Sequence, residues 1–297
     1  MLLPDRGARF IGQGITGSEG RASLPWMISY GTNVVAGVTP GKGGQILNSV
    51  PIFNSVREAV QAVGPVFGSV QYVPPLLVIK AVEEALEEGI KFVLIGAEKV
   101  PTKDVAFIYA LAKSKGASII GPSSVGFLSP ARALKIGSIG GANPDRVYKE
   151  GNIAIISKSG GMTSEIGLHL KKNGLGVSVA VGIGGDRIIC SDFGDFLLEL
   201  ENDKGTKASV IFGELGGAYE ERVAELVKNG KIAKPVVAFI AGEFTMSLPS
   251  EVQFGHAGAI IEGKRGSPHE KRRILREAGV FVADNFDDIS SLIKEVS

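Results

Sequence analysis

Ala8-Arg9-Phe10-Ile11-Gly12-Gln13-Gly14-Ile15-Thr16-Gly17-Ser18-Glu19-Gly20 reads as an apolar strand over 8–11 that runs into a glycine-rich turn, with a helix starting near Ser18. Glycines let a backbone approach a phosphate closely, and the free N–H groups at a helix start favour an anion. The same pattern also occurs as a plain tight turn, so its meaning depends on its surroundings. Those surroundings alternate from end to end between short apolar runs and amphipathic stretches, the pattern of an α/β protein with parallel sheets and helical crossovers. In the first half, 33–38, 68–73, 91–95 and 117–120 read as further strands, and 55–63, 76–88 and 102–115 as helices. In 76–88, Ala81, Val82, Ala85 and Leu86 share a face, with Glu83, Glu84, Glu87 and Glu88 largely opposite.

A stretch without clear period, 138–151, holds Gly, Asn, Pro and a cluster of charges, and a domain boundary is expected there, dividing the chain into 1–145 and 146–297. The alternation then resumes. Strands are expected at 153–157, 176–181, 208–212 and 236–240, with helices at 163–173, 192–201, 218–229, 267–278 and 286–295.

Composition narrows the class. The chain has 297 residues, enough for two domains with their own cores. Lys plus Arg (32) nearly balance Asp plus Glu (31), which argues against a nucleic-acid or acidic-membrane partner. The single cysteine, Cys190, rules out an internal disulfide and suits a reducing compartment. No apolar run approaches the roughly 20 residues needed to span a bilayer, and residues 1–6 lack a signal-peptide core. A cytoplasmic location is expected.

Between the second strand and the next helix stands Val38-Thr39-Pro40-Gly41-Lys42-Gly43-Gly44. An NAD site wants an acid at the end of that strand to hold a ribose hydroxyl. Lys42 favours a nucleotide with an additional phosphate instead, unless it is simply a solvated loop lysine.

Three more glycine turns follow strands in the second half. They are Ser157-Lys158-Ser159-Gly160-Gly161-Met162-Thr163, Gly182-Ile183-Gly184-Gly185-Asp186-Arg187 and Gly213-Glu214-Leu215-Gly216-Gly217. In an open parallel sheet all three lie at the carboxyl edge, where ligands bind. His256, in Gly255-His256-Ala257-Gly258-Ala259, is walled in by small residues and accessible to a bulky group. An imidazole is nucleophilic near neutral pH, so a covalent intermediate is the functional reading and a loop histidine packed beside glycines the bland one. Glu214 is the carboxylate best placed to orient that imidazole, or else a helix-start acid favoured by the dipole. Arg187 could meet a substrate carboxylate, or pair with Asp186 or Asp192. His169 and His269 read as structural or solvated.

With these motifs assembled, the chain resembles the alpha subunit of the succinyl-CoA synthetase superfamily, the nucleoside-diphosphate-forming acid–CoA ligases. The resemblance rests on the Gly14 to Gly20, Val38 to Gly44, Gly182 to Asp186, Gly213 to Gly217 and Gly255 to Ala259 motifs, five in the family's order. It implies an N-terminal Rossmann-like CoA-binding domain followed by a flavodoxin-like parallel-sheet ligase domain. It also implies that His256 is phosphorylated and held by Glu214, and that an acyl phosphate is captured by the CoA thiol. Thr16, Gly17, Ser18, Glu19, Lys42, Val73, Pro74, Ala97 and Glu98 would line the CoA site, and Ser159, Gly160 and Gly161, with Arg187, the acid site. ATP or GTP with Mg is implied on an ATP-grasp beta-type partner subunit, and no metal site is expected here.

Succinate enzymes usually read Ser-Gly-Thr-Leu-Thr-Tyr-Glu where this chain has Ser159-Gly160-Gly161-Met162-Thr163-Ser164-Glu165, and Gly-Asp-Pro where it has Gly185-Asp186-Arg187. Both changes, with Ser250 to Phe254 and Gly121 to Gly126, are similar to the ligase module of ATP-citrate lyase and to the small subunit of citryl-CoA synthetase. The citrate-synthase-like domain of the former is expected to be absent. Citrate is the acid expected, with succinate the alternative within the same mechanism. A CoA-binding regulatory module is the non-enzymatic alternative.

Overall fold

Two seven-stranded sheets follow one another along the chain, which a computed structural model describes over residues 3–243 and 266–297. The first is built from β1 (Arg9–Gln13), α1 (Ser18–Tyr30), β2 (Asn33–Val38), β3 (Ile46–Leu47), β4 (Val50–Phe53), α2 (Val56–Val63), β5 (Gly68–Gln71), α3 (Val78–Glu87), β6 (Phe92–Ile95), α4 (Thr102–Lys115) and β7 (Ser118–Ile120). Its strand order is β3-β4-β2-β1-β5-β6-β7, parallel except at the β3–β4 hairpin. The order reverses at β1, which has β2 on one side and β5 on the other. That reversal opens a crevice at the carboxyl ends of the strands.

The second sheet contains β8 (Gly126–Ser129), β9 (Leu134–Gly137), β10 (Glu150–Ser157), α5 (Gly160–Lys172), β11 (Val177–Gly182), α6 (Phe193–Glu201), β12 (Ala208–Gly213), α7 (Tyr219–Lys228), β13 (Val236–Ile240), α8 (Pro268–Glu277), β14 (Phe281–Ala283) and α9 (Asp288–Val296). Its order, β14-β13-β12-β10-β11-β8-β9, is parallel from β14 to β11 and antiparallel at the β8–β9 hairpin. The part from β11 to β14 has the flavodoxin-like arrangement, with a second reversal at β10. The hairpin of residues 126–137 therefore belongs to the second sheet although it precedes the aperiodic stretch.

Local chemistry sets the helix boundaries. Ser55 caps α2 by accepting from the Glu58 N–H, while the Glu58 carboxylate accepts from the Asn54 N–H. Asp192 and Asp195 form a capping box at α6, and Arg222 of α7 straps both carboxylates. Each such cap contributes about 0.5–2 kcal/mol.

Helices α2, α3 and α4 cover one face of the first sheet through Val56, Val82, Ala85, Val105 and Ile108. On the other face, Leu24 and Met27 of α1 join a cluster that continues through Phe127 and Ile136 of the hairpin to Ile156 and Val181 of the second sheet. The two sheets thus share a continuous apolar core. Helices α5 and α9 close the far face of the second sheet with Ile166, Leu170, Ile289 and Ile293. Among the described residues no helix is long and apolar enough to cross a membrane.

Candidate active site

The first reversal point opens into a cavity of about 960 Å³. Gly14 shapes its floor. Its φ is +73°, its N–H donates to the Val38 carbonyl at 2.8 Å, and a Cβ there would lie 2.8 Å from the Tyr72 carbonyl oxygen. No other residue type fits that close approach without strain. The turn delivers the chain to α1, whose start at Gly17 has no side-chain cap, leaving its first N–H groups at the cavity.

Thr16, Gly17, Ser18, Glu19, Lys42, Val73, Pro74, Ala97 and Glu98 all line this one cavity. Lys42 sits in a loop held by a residue that sequence reading missed: the Asn54 side-chain oxygen accepts from the Gly41 and Gly43 N–H groups, each at 3.0 Å. The contact spans 11 and 13 residues, so no local pattern announces it. Glu84, on the polar side of α3, is not merely solvated. It accepts from the Val56 N–H at 2.7 Å and reaches Gln13 at 3.4 Å, and both side chains line the cavity.

A second cavity, of about 470 Å³, lies against the carboxyl edge of the second sheet. Its wall includes Ser159, Gly160 and Gly161 at the start of α5, where Ser159 supplies no side-chain cap. A Cβ on Gly161 would meet nothing within 4 Å, so that position faces open space. Glu19, Tyr72, Gly96 and Glu98 line both cavities, which therefore adjoin. Burial holds the Tyr72 hydroxyl in its neutral form far above the usual range. Arg187 is exposed and does not line either cavity, while Asp192 is engaged by Arg222.

The turn that carries Glu214 is fixed from behind by a buried ion pair. Lys271 of α8 donates to the carbonyls of Glu214 (2.9 Å) and Gly216 (2.5 Å) and to the Glu220 carboxylate (2.5 Å), with both charged side chains fully buried. In front of the turn, the Glu214 carboxylate lies 3.5 Å from the Lys158 ammonium. Lys158 is almost completely buried and lines the second cavity, although the sequence alone assigns it no role. The signal was available, since a lysine directly after an apolar strand end is seldom buried without a partner.

His256 lies outside the described residues. The chain on either side of its segment does converge on the Glu214 turn. The Ala241 N–H donates to the Gly213 carbonyl at 3.0 Å, and the Gly216 N–H donates to the Gly266 carbonyl at 2.8 Å. Of the other histidines, His169 packs edge-on to Phe286 at 5.1 Å with Asp287 at 3.8 Å, and His269 is exposed. Cys190 is buried, and burial pushes its thiol up to about 12, which keeps it unreactive near neutral pH.

Residues 6–99 match the CoA binding domain family, and residues 150–295 match the succinyl-CoA ligase like flavodoxin domain family. The fold and site thus define a two-domain, CoA-binding acid–thiol ligase chain. The chain is 41% identical to a succinate–CoA ligase [ADP-forming] subunit alpha 2 of Archaeoglobus fulgidus, across 99% of both chains. It is 36% identical to the malate–CoA ligase subunit alpha of Methylorubrum extorquens, across 99% of this chain and 98% of that one. An ATP citrate lyase of Methanothrix soehngenii, solved with citrate and coenzyme A, superposes with a TM-score of 0.91 at 27% identity, covering 99% of this chain and 50% of that one. This chain spans half the length of that lyase. The chain belongs to the family of the succinate–CoA ligase alpha subunits, the NDP-forming acid–CoA ligases.

Proposed function

We propose that this chain is the alpha-type subunit of an NDP-forming ligase that makes an acyl-CoA from CoA and citrate, through a phosphohistidine and an acyl phosphate. The observation that carries the reading is the shared wall of the two cavities at Glu19, Tyr72, Gly96 and Glu98. A thiol reaching the end of the first cavity enters the space where an acid can be activated, and proximity of that kind removes much of the entropic cost of the reaction. The nucleotide, with Mg, is held by an ATP-grasp beta-type partner, a reading supported by the alpha-subunit relatives.

His256 carries the phosphoryl group and Glu214 orients it. The N–H groups at the start of α5, with Ser159, Gly160 and Gly161, receive the acid's carboxylates. Citrate is favoured over succinate by the open space at Gly161 and not by Arg187, which is exposed away from the cavities. The test is ADP release by the assembled enzyme with CoA and citrate, succinate or malate in turn. Citrate is expected to give the highest kcat/KM, with Gly161→Thr lowering the citrate value about tenfold or more and sparing succinate, on the scale of 1–3 kcal/mol for steric discrimination in a pocket. Turnover of succinate alone would sink the citrate reading.

Lys42 provides a separate check on the CoA site. Its half-buried ammonium, in the loop pinned by Asn54, is proposed to meet the phosphate that distinguishes CoA from its dephospho form. Lys42→Met is expected to weaken CoA binding about 10- to 100-fold, the range of one charge-assisted hydrogen bond, and to leave dephospho-CoA nearly unaffected. Calorimetry with both ligands measures the difference.

A further inference from the structure

Resting on that reading, we propose that Lys158 is the phosphoryl-binding group of the second cavity, with Glu214 as its counter-ion. Lys158 directly follows β10, the strand at which the order of the second sheet reverses, and its N–H donates to the Phe212 carbonyl of β12 at 3.1 Å. The residue therefore sits at the second switch point, where the turns after β10 and β12 meet. Its side chain is 1% exposed and lines the cavity. Among the described residues of that wall it is the one cation; Glu19 and Glu98 bring the only charges of opposite sign.

A structural role in holding the Glu214 turn is already filled. Lys271 takes the carbonyls of Glu214 and Gly216 from the α8 side, whereas Lys158 approaches Glu214 from the cavity side. The Lys158 ammonium is 3.5 Å from the carboxylate oxygen, 5.7 Å from the Tyr219 ring centroid and 3.9 Å from where a Cβ on Gly217 would sit. A charge-assisted hydrogen bond closes to about 2.7–2.9 Å. At 3.5 Å the pair is chiefly electrostatic, and among the described residues the ammonium has no shorter ion pair, so its N–H donors can address another anion. Gly217 itself sets no side chain against the ammonium, and the nearest side chain there is the Tyr219 ring, whose edge lies 3.9 Å from the same Cβ point.

The transfer has two steps. A carboxylate oxygen of the acid attacks phosphorus; the P–O bond forms, the P–N bond to the His256 imidazole breaks, and the ring nitrogen keeps the electron pair. The CoA sulfur then attacks the acyl carbon; the C–S bond forms, the C–O bond to phosphate breaks, and inorganic phosphate leaves with that electron pair while the thiol proton passes to solvent. In both steps Lys158 faces charge on the phosphoryl oxygens, first in flight and then on the leaving phosphate. Glu214 holds the ammonium aimed while no phosphoryl group is present.

The test uses the complete enzyme with its partner subunit and compares Lys158→Met, Lys158→Gln and Lys158→Arg. Inorganic phosphate is the binding probe, read by calorimetry. Discharge of preformed phosphoenzyme by the acid is the kinetic one. Met and Gln are expected to weaken phosphate binding about tenfold or more and to slow discharge about 100-fold, with CoA affinity unchanged and Arg restoring most of both, as a charged phosphate ligand requires. CoA affinity reports folding, and the Gln and Arg variants carry the comparison if Met does not fold. Phosphate binding and discharge within threefold of the parent in Met or Gln overturn the assignment. Failure of the parent enzyme itself to take an acid-labile phosphoryl group from ATP overturns the reading beneath it instead.

Discussion

Changing His256 to alanine is expected to abolish the acid-labile phosphoryl group that the assembled enzyme takes from labelled ATP, and to lower turnover by about four orders of magnitude or more. That is the scale on which loss of a covalent nucleophile is felt when the rest of a site stays intact. The residues that flank its segment supply the reason to expect this histidine in the reaction. Ala241 is hydrogen-bonded to Gly213, and Gly266 to Gly216, so both described ends of the segment are tied to the turn that presents Glu214. The carboxylate is nearly buried, with 13% of its side chain exposed. At such a site a carboxylate fixes the tautomer of an imidazole and stabilises it when it becomes cationic.

Two further outcomes separate catalysis from folding. CoA affinity is expected to be unchanged in His256→Ala, because the 960 Å³ cavity is lined by residues between Gln13 and Glu98, on the first sheet and its loops and helices. Glu214→Gln is expected to slow phosphoryl uptake without abolishing it, since the ring loses its orienting charge and not its nucleophilic nitrogen. Persistent acid-labile phosphate in His256→Ala would move the nucleophile elsewhere and with it the whole reaction scheme.

Periodic segments were legible in the sequence, and pieces held by distant partners were not. Helix α4 spans the expected Thr102–Lys115, and β2 and β13 the expected 33–38 and 236–240, because each is long enough for its pattern of burial to repeat. The β8–β9 hairpin was missed. Its strands are four residues each, all buried, and β9 contains Lys135, which is fully buried with its ammonium 5.2 Å from the Trp26 ring centroid. Such strands have no alternation to read. Strands β3, β4 and β14, of two, four and three residues, were not expected either. Helix α5 was expected from residue 163 and begins at Gly160, since two glycines look like a turn when they are in fact the first helical residues. The same difference governs the site. Glycine turns and His256 stand out by composition, whereas Asn54, Lys158 and the Lys271–Glu220 pair act across 11 to 56 residues of sequence. Arg187 shows the converse: it stands out in sequence yet lines neither cavity.

Lys271→Met is expected to be the most destabilising single change in the second domain. It strands the Glu220 carboxylate, which is 0% exposed, and removes the donor from the Glu214 and Gly216 carbonyls. Breaking one side of a buried ion pair costs about 3–5 kcal/mol. For a domain of this size that lowers the thermal midpoint by about 10 °C. Glu220→Gln is expected to cost a similar amount, now by leaving the ammonium without its anion. The double variant Glu220→Met with Lys271→Met removes both charges and fills the space with apolar atoms, and buried pairs replaced in this way often regain most of their stability. Activity is expected not to return with it. Methionine cannot hold the two carbonyls, so the Gly213 to Gly217 turn loses the geometry that aims Glu214 while the fold survives. Differential scanning calorimetry and phosphoryl uptake, measured on the same three proteins, separate the two effects. If the double variant recovers both midpoint and uptake, the pair serves packing alone. If it recovers the midpoint and not the uptake, the buried charges are there to set the turn, and the cost of burying them is met by the chemistry they position.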